Sequence, residues 1–90
     1  MQKVLAVVHL KGATTDQYDH LLKDLTDAGH LKLTARPHHF ASLKEGEILV
    51  VDIWESAEAF GQFGQIMIPA AMKHGIVAEA ELYPLYNELD

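Results

Sequence analysis

The chain reads as a single α+β domain of order βαββαβ, spanning residues 1–90, with a four-stranded antiparallel sheet carrying two helices on one face. Three observations predict it. Ninety residues, 49% apolar and 22% charged, leave room for one core and no second domain. Strand-length apolar runs alternate with two amphipathic stretches of helical period. Glycine and proline fall between these segments, where turns are needed.

The first strand, Lys3 to Leu10, is rich in Val and Leu and ends at Lys11-Gly12-Ala13. Thr14 or Thr15 then caps a helix. Gln17 stands three residues after Thr14, as a capping box requires, and Asp16 and Asp19 put negative charge where the helix dipole favours it. Tyr18, Leu21, Leu22, Leu25 and Ala28 form its apolar stripe, and Gly29 ends it. Leu33 to Ser42 is β-like, and Pro37 marks it as an edge strand or a bulge. Leu43-Lys44-Glu45-Gly46 is a hairpin loop that leads into Glu47 to Trp54, the strongest strand in the chain.

Ser56 caps a second helix whose buried stripe is Phe60, Phe63, Met67 and Ala70/Ala71. Pro69 is expected to kink or break this helix near Ile66 to Ile68, and Gly61 and Gly64 weaken it further. After Gly75, Val77 to Tyr86 is a last strand, and Pro84 marks it as an edge strand or a segment that leaves its own sheet. Two strand–helix–strand halves joined by right-handed crossovers give the ferredoxin-like layout.

A chain of this size buries only roughly 60–65% of its unfolded surface, so an apolar fraction of almost half exceeds what one core hides. The strands show where the excess lies. Leu49, Val51 and Ile53 face one way and Ile48, Val50 and Trp54 the other, with Asp52 the only polar residue among them. In the first strand Val4, Ala6, Val8 and Leu10 oppose Leu5 and Val7, followed by His9. Both sheet faces are apolar while the helices cover one, so the expected partner is a second copy of the chain, sheet against sheet, as a C2 homodimer.

Thirteen Asp+Glu against seven Lys+Arg give a formal charge of −6, and Arg36 is the lone arginine. The lysines are scattered singly, so neither nucleic acid nor an anionic membrane is an expected partner. Nothing in the sequence has the length of a transmembrane span or the pattern of a signal peptide, so the cytoplasm is the expected location. With no cysteine there is no thiolate nucleophile and no Cys-based metal site, and no His spacing suits a metal, so neither metal nor cofactor is expected.

Trp54-Glu55-Ser56-Ala57-Glu58-Ala59-Phe60 follows a hairpin strand and opens a helix. Here the chain resembles the antibiotic biosynthesis monooxygenase (ABM) family, the dimeric α/β-barrel proteins, over essentially its whole length. More narrowly it resembles a poorly characterised branch of small bacterial proteins, with which Tyr18, His39, Asp52, Trp54, Glu55, Ser56 and Pro69 agree. The superfamily includes cofactor-free oxygenases of aromatic polyketides, haem-degrading enzymes, isomerases and cyclases, so the resemblance implies a fold and leaves the chemistry open. Haem-degrading members place a proximal His on the second helix, yet none lies between Phe60 and Ala71, and Leu5 stands where they carry a first-strand Asn. Oxygenase-like members often carry a His just after the motif Phe, where this chain has Phe63.

His38 and His39 on one strand point to opposite faces and cannot chelate one metal. With the resemblance, His39 is the candidate general base, set against a merely packed hairpin histidine. Asp52, a carboxylate in an apolar strand, must be paired: either with His39, whose imidazole it would orient, or in a structural bridge. Trp54, Tyr18, His9, Phe63 and Met67 are the candidate pocket residues, each with core packing as its alternative. Taken together they imply a small apolar pocket for a small aromatic or hydrophobic molecule, serving cofactor-independent proton transfer or oxygenation. The alternative is a ligand-binding or structural homodimer without catalysis.

Overall fold

The computed structural model describes residues 2–89. Its elements are β1 (Val4–Lys11), α1 (Thr15–Asp27), β2 (His38–Lys44), β3 (Glu47–Trp54), α2 (Ala57–Lys73) and β4 (Val77–Pro84). The strands form one antiparallel sheet of order β2-β3-β1-β4. The predicted ferredoxin-like fold is therefore the observed one, and each proline of the β regions sits at a sheet edge. Pro84 closes edge strand β4, and Pro37 lies immediately before edge strand β2.

The helix starts follow from capping chemistry. Thr14 Oγ1 accepts from the Gln17 amide at 3.2 Å while Gln17 Oε1 accepts from the Thr14 amide at 2.8 Å, a complete capping box. Ser56 Oγ accepts from the Ala59 amide at 3.1 Å and so opens α2. Gly46, at φ 78°, makes the tight turn between β2 and β3, in the left-handed region where a side chain is strained.

Two expectations are corrected. α2 runs without a break from Ala57 to Lys73 with Pro69 inside it. Pro69 and the residue four positions before it, Gln65, both lie on the exposed side, where water can take the released carbonyl. Packing of Phe63, Met67, Ala70 and Ala71 against the sheet holds the opposite side in place. β2 is also shorter than its apolar pattern. The Arg36 amide bonds back to the Leu33 carbonyl at 3.1 Å, and Glu55 donates to the Ala35 carbonyl at 2.7 Å, so residues 33–36 form a turn strapped to the end of β3.

The core lies between the sheet and the helices: Val4, Ala6, Val8 and Leu10 of β1, Ile48, Val50 and Trp54 of β3, Leu21 and Leu25 of α1, and Phe63 and Ala71 of α2. The other sheet face carries Leu5, Val7 and His9 of β1, and Leu49, Val51 and Ile53 of β3. Phe40, the register partner of Val51, is 63% exposed there, and Tyr83, opposite Leu5, is 48% exposed. No helix is long and apolar enough to cross a membrane among the described residues.

Candidate functional site

His39 and Asp52 are directly opposite each other across the β2–β3 ladder. Their side chains project to the helix-covered face, because Asp52 shares parity with Ile48, Val50 and Trp54. Asp52 is only 4% exposed and is the single buried charged residue among those described. Its carboxylate is satisfied on both oxygens: His39 Nδ1 bonds Oδ1, and Trp54 Nε1 donates to Oδ2 at 3.3 Å. His39 Nε2 in turn lies 2.9 Å from the Tyr18 hydroxyl, which α1 brings over the sheet.

The chemistry of the groups orders this chain. An ionised carboxylate only accepts, so Nδ1 carries the hydrogen toward Asp52, and Nε2 presents its lone pair to the Tyr18 O–H. Burial, first, and the Asp52 charge, second, push the Tyr18 phenol above its ordinary value of 10.0, against the Arg36 charge, which pulls it down. Tyr18 is thus a neutral donor at neutral pH. The row Tyr18–His39–Asp52–Trp54 is a continuous hydrogen-bonded path from an α1 hydroxyl to a buried indole.

Tyr18, His39 and Asp52 border one cavity of about 50 Å³ between helices and sheet. Its other walls are largely apolar: Val8, Leu10, Leu21, Leu22, Leu25, Val50, Phe60, Phe63, Gly64 and Met67, with Arg36 as the one cation. That space holds one or two waters, far below the roughly 300 Å³ at which drug-sized ligands are enclosed. A larger guest requires the cavity walls to move apart.

Of the candidate pocket residues, Tyr18, Phe63 and Met67 line this cavity together with His39 and Asp52. Trp54 does not. It is 1% exposed, lies edge-on to Phe60 at 5.7 Å and packs on Phe63 at 5.2 Å, and borders a separate open hollow that shares Phe63 with the cavity. Its indole N–H holds the Asp52 carboxylate, so it positions the acid instead of forming a platform.

His9 is on the opposite face, set between Glu47 Oε1 at 3.0 Å and Glu81 Oε1 at 3.1 Å. Strand parity is the reason: His9 pairs with Leu49, one residue out of phase with Asp52. His38, as alternation requires, is on that opposite face too and meets Glu88 at 3.0 Å.

Arg36 is the cavity residue that sequence reasoning missed. Its guanidinium carbon lies 5.6 Å from the Trp54 ring centroid and 5.4 Å from that of Phe63, and one arm donates to the Leu31 carbonyl. The available signal was its being the only arginine in an acidic chain, just upstream of His39.

No family model and no curated protein matches the sequence. Solved structures do match the fold. A protein from Deinococcus radiodurans provisionally named an antibiotic biosynthesis monooxygenase superposes with a TM-score of 0.63 at 15% identity, over 97% of this chain and 96% of that one. A protein from Shewanella loihica PV-4, provisionally named a monooxygenase, gives 0.57 at 18% identity over 98% and 99%. The de novo designed protein Foldit4 gives 0.62 at 13% identity, over 93% of this chain and 99% of that one. The chain thus has the fold of the antibiotic biosynthesis monooxygenase-like proteins. A designed protein shares it equally well, so any activity has to be argued from the site.

Proposed function

We propose that this protein is a cofactor-independent proton-transfer enzyme acting on a small, largely apolar molecule, with His39 as base, Tyr18 as relay and Asp52 as the group that orients the base. The carrying observation is the hydrogen-bonded row Tyr18–His39–Asp52 bordering an apolar cavity. Asp52 fixes the tautomer that leaves Nε2 free to take a proton. Tyr18 passes its hydroxyl proton to Nε2 while taking one from the substrate, whose bonding pair remains behind as an enolate or phenolate. That anion reprotonates elsewhere, giving isomerisation, or adds dioxygen at a carbon bearing hydrogen to give a peroxide that takes back the proton and loses water to leave a carbonyl, the oxygenation that the names of the fold's neighbours suggest.

Exchange of the methyl protons of acetone in deuterated water, followed by proton NMR, tests this without the native substrate. The wild type accelerates exchange saturably, and His39→Gln lowers the rate by about 10²-fold or more, within the range general acid–base groups supply. Exchange at the buffer rate in the wild type, or an unchanged rate in a folded His39→Gln protein, contradicts the reading.

A second reading, a structural polar network without turnover, is favoured by one observation. The cavity is small, about 50 Å³, and the Tyr18, His39, Asp52 and Trp54 polar groups satisfy one another. Under that reading Tyr18→Phe and Asp52→Asn change stability alone.

The proposed enzyme is a cytoplasmic homodimer, a second copy covering the sheet face that carries Leu5, Val7, Leu49, Val51 and Ile53. Support comes from the charges on that face, which are already paired within the subunit. His9 meets Glu47 and Glu81, Lys44 meets Glu47 at 3.1 Å, and Lys11 meets Glu79 at 3.0 Å, so burial strands no lone ion.

A further inference from the structure

Arg36 has no part in the proton path, yet among the described residues it is the one permanent cation on the cavity wall. Its setting is built. The guanidinium packs against the Trp54 and Phe63 rings at 5.6 and 5.4 Å, and the Leu31 carbonyl fixes one arm. Among the described residues it forms no salt bridge, although Asp52 borders the same cavity; that carboxylate is taken by His39 and Trp54. A guanidinium has five N–H donors in a planar fork, and the Leu31 main-chain carbonyl takes one of them, which leaves donors for a guest.

We infer that Arg36 is the specificity-determining residue of the cavity, receiving the oxygen that is, or becomes, anionic in a small phenol or enolisable carbonyl compound. The inference rests on the proton-transfer reading for its chemistry and deepens it by naming the substrate class. The substrate's O–H, or the C–H beside its carbonyl, breaks through the Tyr18 relay to His39 Nε2. The electron pair stays on the substrate, and the resulting oxyanion meets the Arg36 fork. Once the walls have moved apart to admit it, an apolar body meets Leu21, Leu25, Phe63 and Met67, and one oxygen meets the Arg36 fork. A purely hydrocarbon guest offers no acceptor to the Arg36 donors that the Leu31 carbonyl leaves over. A doubly charged guest has one cation for two charges.

Binding of 4-nitrophenol and of nitrobenzene, which differ by the ionisable hydroxyl, measured by titration calorimetry, tests this. Above the pH at which free 4-nitrophenol ionises, the wild type binds it at least about tenfold tighter than nitrobenzene, the lower end of what a hydrogen bond to a charged group supplies. Arg36→Gln brings the two within about twofold, a gap too small for a charged hydrogen bond, and Arg36→Lys, charged but without the fork, falls between. The wild type carries the same test unaided, because its preference must shrink when the probe is protonated. No preference in the wild type, a preference unchanged in Arg36→Gln, or failure of both compounds to bind overturns the inference. His39→Gln separates the two proposals. A preference that survives in His39→Gln and is lost in Arg36→Gln upholds the anion site even if acetone exchange shows no catalysis.

Discussion

His39 on β2 and Asp52 on β3 are register partners, and their side chains meet on the helix side of the sheet through Nδ1 and Oδ1. The pairing joins an exposed edge strand to the buried second strand. It places an imidazole at the cavity with a carboxylate behind it, while the Trp54 indole holds that carboxylate from the end of the same strand.

Removing the carboxylate strands two buried donors at once. Asp52→Ala leaves both His39 Nδ1 and Trp54 Nε1 without their acceptor, and should cost about 2–4 kcal/mol of unfolding free energy in urea melts. Asp52→Asn keeps the shape and an acceptor oxygen and should cost less. Equal small losses in both variants would show that the carboxylate is not held as described.

Tyr18→Phe removes one hydroxyl and should cost about 1 kcal/mol, as a single hydrogen bond does. Because burial raises the Tyr18 phenol above 10.0, the unfolded chain ionises first and stability falls as pH climbs past 10.0 toward the folded value. In alkaline ultraviolet titrations Tyr18→Phe should lose a late-titrating component. Retention of that component assigns it elsewhere, with Tyr83, raised by its bond to Glu81, the alternative source.

On the opposite face, pH acts through His9. Its hydrogen bonds to Glu47 and then Glu81 raise it above 6.5, so its contribution is complete below 6.5 and disappears as pH rises through the folded value. Glu47, lowered from 4.5 chiefly by His9, loses its share as pH falls through its folded value. The cluster therefore stabilises most between about 4.5 and 6.5. His9→Gln should flatten the decline above 6.5 in pH-dependent melts, and a decline of the same slope in the variant would refute this.

Two glycines of α2 separate helix stability from cavity space. Gly61 and Gly64 both have open room for a Cβ, and only Gly64 borders the cavity. Replacing either by Ala should stabilise the helix by up to about 1 kcal/mol. Gly64→Ala alone should weaken 4-nitrophenol binding, and equal binding by both variants would place the ligand outside this cavity.

Covering of the sheet face is testable with Val51→Asp, which puts a charge at the centre of the Val7–Val51–Phe40 row. Sedimentation velocity should show a dimer in the wild type and a folded monomer in the variant. A monomeric wild type at micromolar concentration contradicts the homodimer.

The element order was legible because local chemistry and tertiary packing agree: Thr14 and Ser56 cap where they should, and Ile48 to Trp54 is a strand-length apolar run interrupted only by Asp52. The pairing of His39 with Asp52 was within reach for the same reason, since a lone carboxylate in an apolar strand needs a partner on its neighbour. What failed depended on long-range geometry. The face of His9 follows from the β1–β3 register, which alternation within one strand does not fix. Trp54 was expected on the pocket wall; its ring packs on Phe60 and Phe63, and its N–H reaches Asp52. Pro69 suggested a kink or a break, and packing on the other side of α2 keeps the helix unbroken from Ala57 to Lys73. Arg36 sits in a turn without periodicity, so no pattern announced that it reaches the cavity.

The central claim is that Asp52 and Tyr18 hold His39 with the Nε2 lone pair available as a base. Nitrogen-15 NMR of the imidazole rings, with His39 assigned by its loss in His39→Gln, measures this directly. The account predicts that Nδ1 bears the hydrogen, that Nε2 is an acceptor, and that Tyr18→Phe moves the Nε2 resonance while Nδ1 stays bonded to Asp52. A hydrogen on Nε2 with a bare Nδ1 would contradict it.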